Sequence, residues 1–144
     1  MKKDFGFRDL NLPRPVYLKD DSVQVDVENN VVTAKALFPS SDPSLGDRKD
    51  GHVNLQHLHA LGSNLFHVLI AAHNDGKIKK ARVASDNGSY AMEVRQDTEI
   101  DVSLSYRVIG WGNDKDTRMK YRGLFIGKTE KGEHFRIGFD VVVG

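Results

Sequence analysis

From Val53 to Ala72 the chain runs without a proline, and its leucines recur at helical spacing. About twenty residues is long for a helix in a soluble domain, so this one element sets the length of whatever packs around it. At about 100° per residue, Leu55, Leu58, Leu61, Leu65, Val68 and Leu69 share one wide apolar face, which Val53, Ala60 and Ala71 extend. A face that wide predicts a helix embraced by a sheet, not one lying lightly on it. His73-Asn74-Asp75-Gly76 supplies the stop signal. Residues 50–75 also hold five of the six histidines (His52, His57, His59, His67 and His73), yet between Asp50 and Asp75 there is no Asp or Glu.

On both sides of this run the apolar period changes to two, the spacing of a half-buried strand. Ser22 to Val27 places Val23, Val25 and Val27 on one side, Glu28-Asn29-Asn30 makes a turn, and Val31 to Phe38 returns as a second strand. Residues 39–51, PSSDPSLGDRKDG, are too polar and too rich in turn formers to be anything but a loop. After the helix, Lys77 to Ala84, Ala91 to Val94, Glu99 to Ile109, Arg118 to Gly127 and His134 to Val143 read as strands. Asp86-Asn87-Gly88, Gly112-Asn113-Asp114-Lys115 and Glu130-Lys131-Gly132 are the expected turns. Residues 1–20 are expected to be irregular, because Pro13 and Pro15 flank Arg14 and disfavour a helix. The order hairpin, loop, long helix, antiparallel meander predicts a single α+β domain over residues 1–144.

Charge and composition remove several functions. Twenty-one Lys and Arg against twenty Asp and Glu leave a formal charge of +1, so no nucleic-acid partner is expected. The one concentrated basic run, Lys77 to Arg82, reads as a solvated strand start. The absence of cysteine excludes disulfides and thiolate metal sites. No window approaches 18 apolar residues, so no membrane span is expected. MKKDFGFRDL carries no apolar stretch of the kind a signal peptide needs, and a cytoplasmic location is expected.

Phe38-Pro39, leading through Asp42-Pro43 to Gly51-His52 at the helix start, and Met92 to Ile100, with Gln96-Asp97-Thr98 where Pro-Gly-Asp is often seen, carry a resemblance. Together with the element order they resemble the hot-dog fold, in which a curved antiparallel sheet wraps one long central helix. The resemblance covers roughly residues 22 to 143. It implies an acyl thioester as substrate, carried on coenzyme A or acyl carrier protein, so that coenzyme A or phosphopantetheine belongs to the substrate and no separate cofactor is needed. It also implies a homodimer or a dimer of dimers, with an acyl tunnel at the subunit interface.

Hot-dog dehydratases pair a histidine at the helix start with a carboxylate on the helix. His52 matches the first position, but apolar residues near Phe66 hold the second. Without a second acid–base partner a conventional dehydratase is not expected. Gly51-His52-Val53-Asn54, with Asn64 two to three turns on, is similar to the helix start of the long-chain fatty acyl-CoA thioesterase type, which uses neutral polar groups. That likeness implies Asn54 and Asn64 as donors to the thioester oxygen, with His52 or His57 accepting the water proton. Asn54 is equally well placed as a helix cap.

The helical wheel adds a second set of residues. His52, Gln56, His59, Ser63 and His67 fall within about 80° of one another, with His57 and Asn64 on the flank. Gln56, His59 and Ser63, joined by Asp42 from the loop, are the candidate substrate-binding residues. On the plainer alternative the stripe is a solvent face. A His59–Ser63 nucleophile pair lacks an orienting acid, and a zinc site lacks two histidines at His-x-x-x-His spacing. Tyr17, Tyr90 and Trp111 are expected in the core or lining a tunnel. The expected activity is thioester hydrolysis without a helix carboxylate. The alternatives are dehydration or acyl transfer in secondary metabolism, or a non-catalytic module that binds an acyl ligand or dimerises.

Overall fold

The computed structural model describes residues 2–4, 17–41, 53, 55–73, 81–111 and 119–143. The leucine-rich run is a helix, α1, over Leu55–His73. Leu58, Leu61, Leu65, Val68 and Leu69 are all buried, as the wide apolar face predicts. Around it stand strands β1 (Lys2–Asp4), β2 (Gln24–Asp26), β3 (Val31–Ala36), β4 (Ala81–Tyr90), β5 (Ile100–Trp111), β6 (Met119–Thr129) and β7 (Gly132–Val143). Among the described residues they form one seven-stranded sheet in the order β1-β2-β3-β5-β6-β7-β4, and every pairing is antiparallel. The chain leaves β3 in the middle of the sheet, forms α1 and resumes at the far edge as β4.

The strand alternation fixes which face meets the helix. Val32, Ala34 and Ala36 of β3, Ile100, Val102 and Leu104 of β5, and Phe135, Ile137, Phe139 and Val141 of β7 are buried. On β6 the inward positions alternate Gly123, Phe125, Gly127, and each glycine lies opposite an inward phenylalanine of β7, Phe139 and Phe135 respectively. A Cβ on Gly123 would stand 2.9 Å from the Phe139 ring, and one on Gly127 would overlap the ring of Phe135. The β7 rings therefore lie across bare backbone of β6. Phe125 in turn fills the space over Gly62 of α1, where a Cβ would come within 2.9 Å of it. This interleaving lets a thick aromatic layer and a helix share one narrow inner face.

Three irregularities bend the sheet. Register shifts occur between Val83 and Ser85, between Val108 and Gly110, and between Gly127 and Lys128. A bulge of this kind increases local twist and curls a sheet around whatever it covers. At Gly110 the backbone has φ +150°, a conformation that side-chain-bearing residues avoid.

The structure departs from the sequence expectations at three places. Lys2–Asp4 is not irregular but pairs with β2; three residues are too few to show a period. Asp86-Asn87-Gly88 is not a turn but lies inside β4, opposite Phe139, Gly138 and Ile137. Main-chain pairing along β7 overrides the local turn preference there. Ala91 to Val94 forms no strand; the N–H groups of Ala91 and Met92 both donate to the His134 carbonyl, at 2.9 and 3.1 Å, so the segment is tethered rather than laddered. The Gln96-Asp97 turn is present, with Asp97 at φ 59°. Asp97 N–H donates to the Phe38 carbonyl at 2.8 Å and its Oδ1 accepts from Ser40 N–H at 2.9 Å, which ties the start of β5 to the segment after β3. The bonds from Ser40 hold the Asp97 carboxyl below its ordinary pKa. The expected turn at 112–115 lies outside the described residues.

Candidate active site

The sheet covers α1 on one side and leaves a strip of it open. Gln56 and His59 are exposed and Ser63 and His67 half-buried, and these four run along the open strip in the order the helical wheel requires. Each has a defined neighbour or setting. His59 Nε2 lies 3.3 Å from the Tyr90 hydroxyl, linking the helix to edge strand β4. Tyr90 reaches that position by lying over Gly88, where any Cβ would overlap the phenol. At 43% exposure Tyr90 is outside the core, the first of the two settings expected for it, because β4 has no strand beyond it among the described residues. Tyr17 is the core residue expected, 5% exposed and packed on Phe38 with ring centroids 4.6 Å apart.

One border of the open strip carries His57 and Asn64, seven residues and two turns apart. His57 is half-buried and meets the Tyr17 ring edge-on, with centroids 6.2 Å apart. Asn64 is 1% exposed and is the one polar side chain of α1 in the buried class among the described residues. A primary amide is an N–H donor, and in a setting of low dielectric a hydrogen bond from it to a developing negative charge is strengthened.

The other border is aromatic. Phe66, 2% exposed, meets Tyr106, Tyr121 and Phe139 with T-shaped ring contacts at 5.9, 6.1 and 6.0 Å. The Tyr106 and Tyr121 rings are themselves 4.9 Å apart at 85°. Burial, with the neighbouring Tyr121 as a smaller contribution, raises the Tyr106 hydroxyl to about 12, and burial raises Tyr121 as well. Both phenols therefore stay protonated at neutral pH. Sequence alternation gives no sign that they surround Phe66. For Tyr106 the folded pKa is raised above the unfolded value of about 10, so its contribution to stability is full below pH ~10 and is lost as pH rises towards 12. Denaturant melts at pH 9 and 11.5 should show a falling midpoint for the wild type and a smaller fall for Tyr106→Phe.

His134 also escaped notice in the sequence, where it reads only as the start of a strand. It is 9% exposed and bridged on both sides. Its Nδ1 lies 2.8 Å from the Glu93 carbonyl and its Nε2 2.8 Å from Thr129 Oγ1. A carbonyl can only accept, so Nδ1–H donates and Nε2 accepts from the threonine. The role is to staple the irregular 91–94 segment to the β6–β7 hairpin. A cavity of about 650 Å³ beside it, lined by Lys35, Glu99, Asp101 and Thr129 among others, does not touch α1. Neither does a trough of about 460 Å³ over Gly138 on the outer sheet face.

Of the candidate residues, the structure brings His57 and Asn64 to one border of the strip and Gln56, His59 and Ser63 to its floor. His52, Asn54 and Asp42 lie outside the described residues. Val53, between the first two, is buried, and its N–H donates to the Val94 carbonyl at 2.8 Å. No group of three metal-ligating side chains occurs among the described residues. No described helix is long and apolar enough to cross a membrane.

No family model matches the chain, and no curated protein matches it in sequence. Solved structures do match. An uncharacterized protein from Pyrococcus horikoshii superposes with a TM-score of 0.59 at 9% identity, over 92% of this chain and 86% of its own. A candidate thioesterase related to phenylacetic acid degradation, from Ralstonia eutropha, gives 0.56 at 15% identity over 83% and 80%. The sigma28-regulated virulence protein Cj0977 from Campylobacter jejuni gives 0.57 at 9% identity over 85% and 82%. The architecture is that of the hot-dog fold: a curved antiparallel sheet packed against one long helix. Similar folds include several proteins described as candidate thioesterases, and α1 of this chain carries no Asp, Glu, Lys or Arg.

Proposed function

We propose that this protein hydrolyses an acyl thioester, carried on coenzyme A or acyl carrier protein, at the open strip of α1. The observation that carries the reading is Asn64, an amide buried to 1% exposure on a hot-dog helix that has no carboxylate. Its N–H groups polarise the thioester carbonyl as the oxyanion develops, the term that commonly contributes most in acyl transfer. Gln56, His59 and Ser63 line the strip on which the thioester arm lies. Asn54, with His52 or His57, completes the polar set at the helix start. The fold's thioesterase-named relatives support thioester chemistry, and the resemblance supports a homodimer or dimer of dimers.

Thiol release from a panel of acyl-CoA and acyl-carrier thioesters tests the reading. Asn64→Ala is expected to lower kcat by about 10²–10³-fold, the usual loss for one oxyanion donor. Asn54→Ala should weaken turnover in the same assay. Binding of acyl-CoA with no thiol release at any chain length would instead favour a non-catalytic acyl-binding module. Mass analysis of products separates hydrolysis from dehydration or acyl transfer.

A further inference from the structure

We propose that His67 is the general base of this hydrolysis, accepting the proton of the attacking water at Nε2; the inference rests on the hydrolase reading above. His67 Nδ1 lies 2.7 Å from the Ser63 carbonyl oxygen one helical turn back. That oxygen has no proton to give, so Nδ1 must carry the hydrogen. The neutral ring then has its lone pair on Nε2, the nitrogen turned away from the helix backbone. A backbone bond of this kind fixes both tautomer and orientation, which a base needs before substrate arrives.

Among the described side chains, the other histidines do not offer this arrangement. His134 has both ring nitrogens bonded, to the Glu93 carbonyl and to Thr129. His59 has its Nε2 against the Tyr90 hydroxyl. His57 packs edge-on against the Tyr17 ring. His52 and the side chain of His73 lie outside what the structure describes. Among the described residues, His67 combines one nitrogen anchored to the main chain with a half-buried ring on the open strip.

Its neighbours suit the task. Asn64 and His67 are three residues apart on α1, a spacing that brings Cβ atoms within about 5–6 Å. The carbonyl-polarising amide and the base are thus neighbours on α1, and both stand on a rigid helix instead of a loop. In the reaction, water adds to the thioester carbon as its proton passes to Nε2. The positive charge on the ring strengthens the Nδ1–H bond to the Ser63 carbonyl, since charge-assisted hydrogen bonds are the stronger ones. Collapse of the tetrahedral intermediate breaks the carbon–sulfur bond. The leaving thiolate takes the proton back from Nε2–H, giving carboxylic acid and thiol and returning the neutral ring. The helix carboxylate that this chain lacks is replaced by an imidazole on the same element.

The test uses the full-length protein, thiol release from acyl-CoA, and His67→Ala, a change that raises helix propensity. The expected result is a fall in kcat of about 10²–10⁴-fold with KM little changed. Added imidazole, measured against an enzyme-free blank, should restore part of the rate by occupying the space the ring vacates. Nitrogen NMR of the wild-type ring should show the hydrogen on Nδ1. Wild-type kcat in His67→Ala overturns the inference and leaves the hydrolase reading standing; so does a loss that imidazole fails to restore, or a ring with its hydrogen on Nε2. No thiol release by the wild type from either carrier overturns both.

Discussion

Phe125→Ala is expected to lower the unfolding free energy by about 3–5 kcal/mol, towards the upper end of single-site core losses. Phe125 is 1% exposed, and its ring fills the gap over Gly62 of α1 and packs 5.0 Å from the Phe135 ring. Truncation leaves a void whose walls cannot easily refill it, because Gly62 has no side chain and the Phe135 ring is already committed across Gly127. The cost of a cavity depends on how far its lining can relax, and here the lining is bare backbone. For a domain of this size the loss corresponds to roughly 6–20 °C in Tm. Gly62→Val attacks the same contact from the other side, bringing a Cβ within 2.9 Å of the ring, and should cost about 1–3 kcal/mol by overpacking. The double variant should lose less than the two single losses added, since the valine methyls enter the space the ring leaves. Strictly additive losses would show that Phe125 and Gly62 do not share that space.

These contacts explain why some of the fold was legible in the sequence and some was not. The α1 face and the alternation in β3, β5 and β7 could be read directly, because each strand or helix meets a single apolar layer and its period survives. The glycines of β6 could not. Gly123 and Gly127 sit within the expected strand, but nothing local shows that the rings of Phe139 and Phe135 lie across them. Asp86-Asn87-Gly88 has turn chemistry, yet it pairs with β7 in register, and only the partner strand reveals that. The short β1 depends wholly on its neighbour β2.

The site divides in the same way. Helical spacing is a local property, so Gln56, His59, Ser63 and His67 could be placed on one strip, and His57 and Asn64 beside it, from sequence. Depth is not local. The wheel puts Asn64 only on a flank, and its 1% exposure follows from how far the sheet curls over that border. The hydroxyl of Tyr90 at His59 and the two tyrosines around Phe66 come from strands 25 or more residues away in sequence, beyond the reach of any periodic argument.

Phe66→Glu, which places a carboxylate on α1 near the position where the resemblance to hot-dog dehydratases implies one, is expected to be the more damaging change. Phe66 is 2% exposed and bounded by Tyr106, Tyr121 and Phe139. Losing the ring alone costs about 3–5 kcal/mol, and an uncompensated buried charge adds several more. The protein relieves part of this by keeping the new acid protonated, which raises its folded-state pKa above the unfolded value of about 4.3. The sign follows from that shift. Relative to the isosteric Phe66→Gln, the glutamate variant is penalised least below pH ~4.3. It then loses stability as pH rises, until the folded-state pKa is passed. Urea melts of the two variants at pH 4.5 and 8 should therefore diverge, with the glutamate variant much the weaker at the higher pH. Equal midpoints at both values would mean that the carboxylate finds water or a phenol donor from Tyr106 or Tyr121. In that case the aromatic border would be a usable acid site after all. Divergence would show that the packing around Phe66 itself excludes the helix carboxylate, so that the proposed hydrolysis would have to draw on amides and imidazoles.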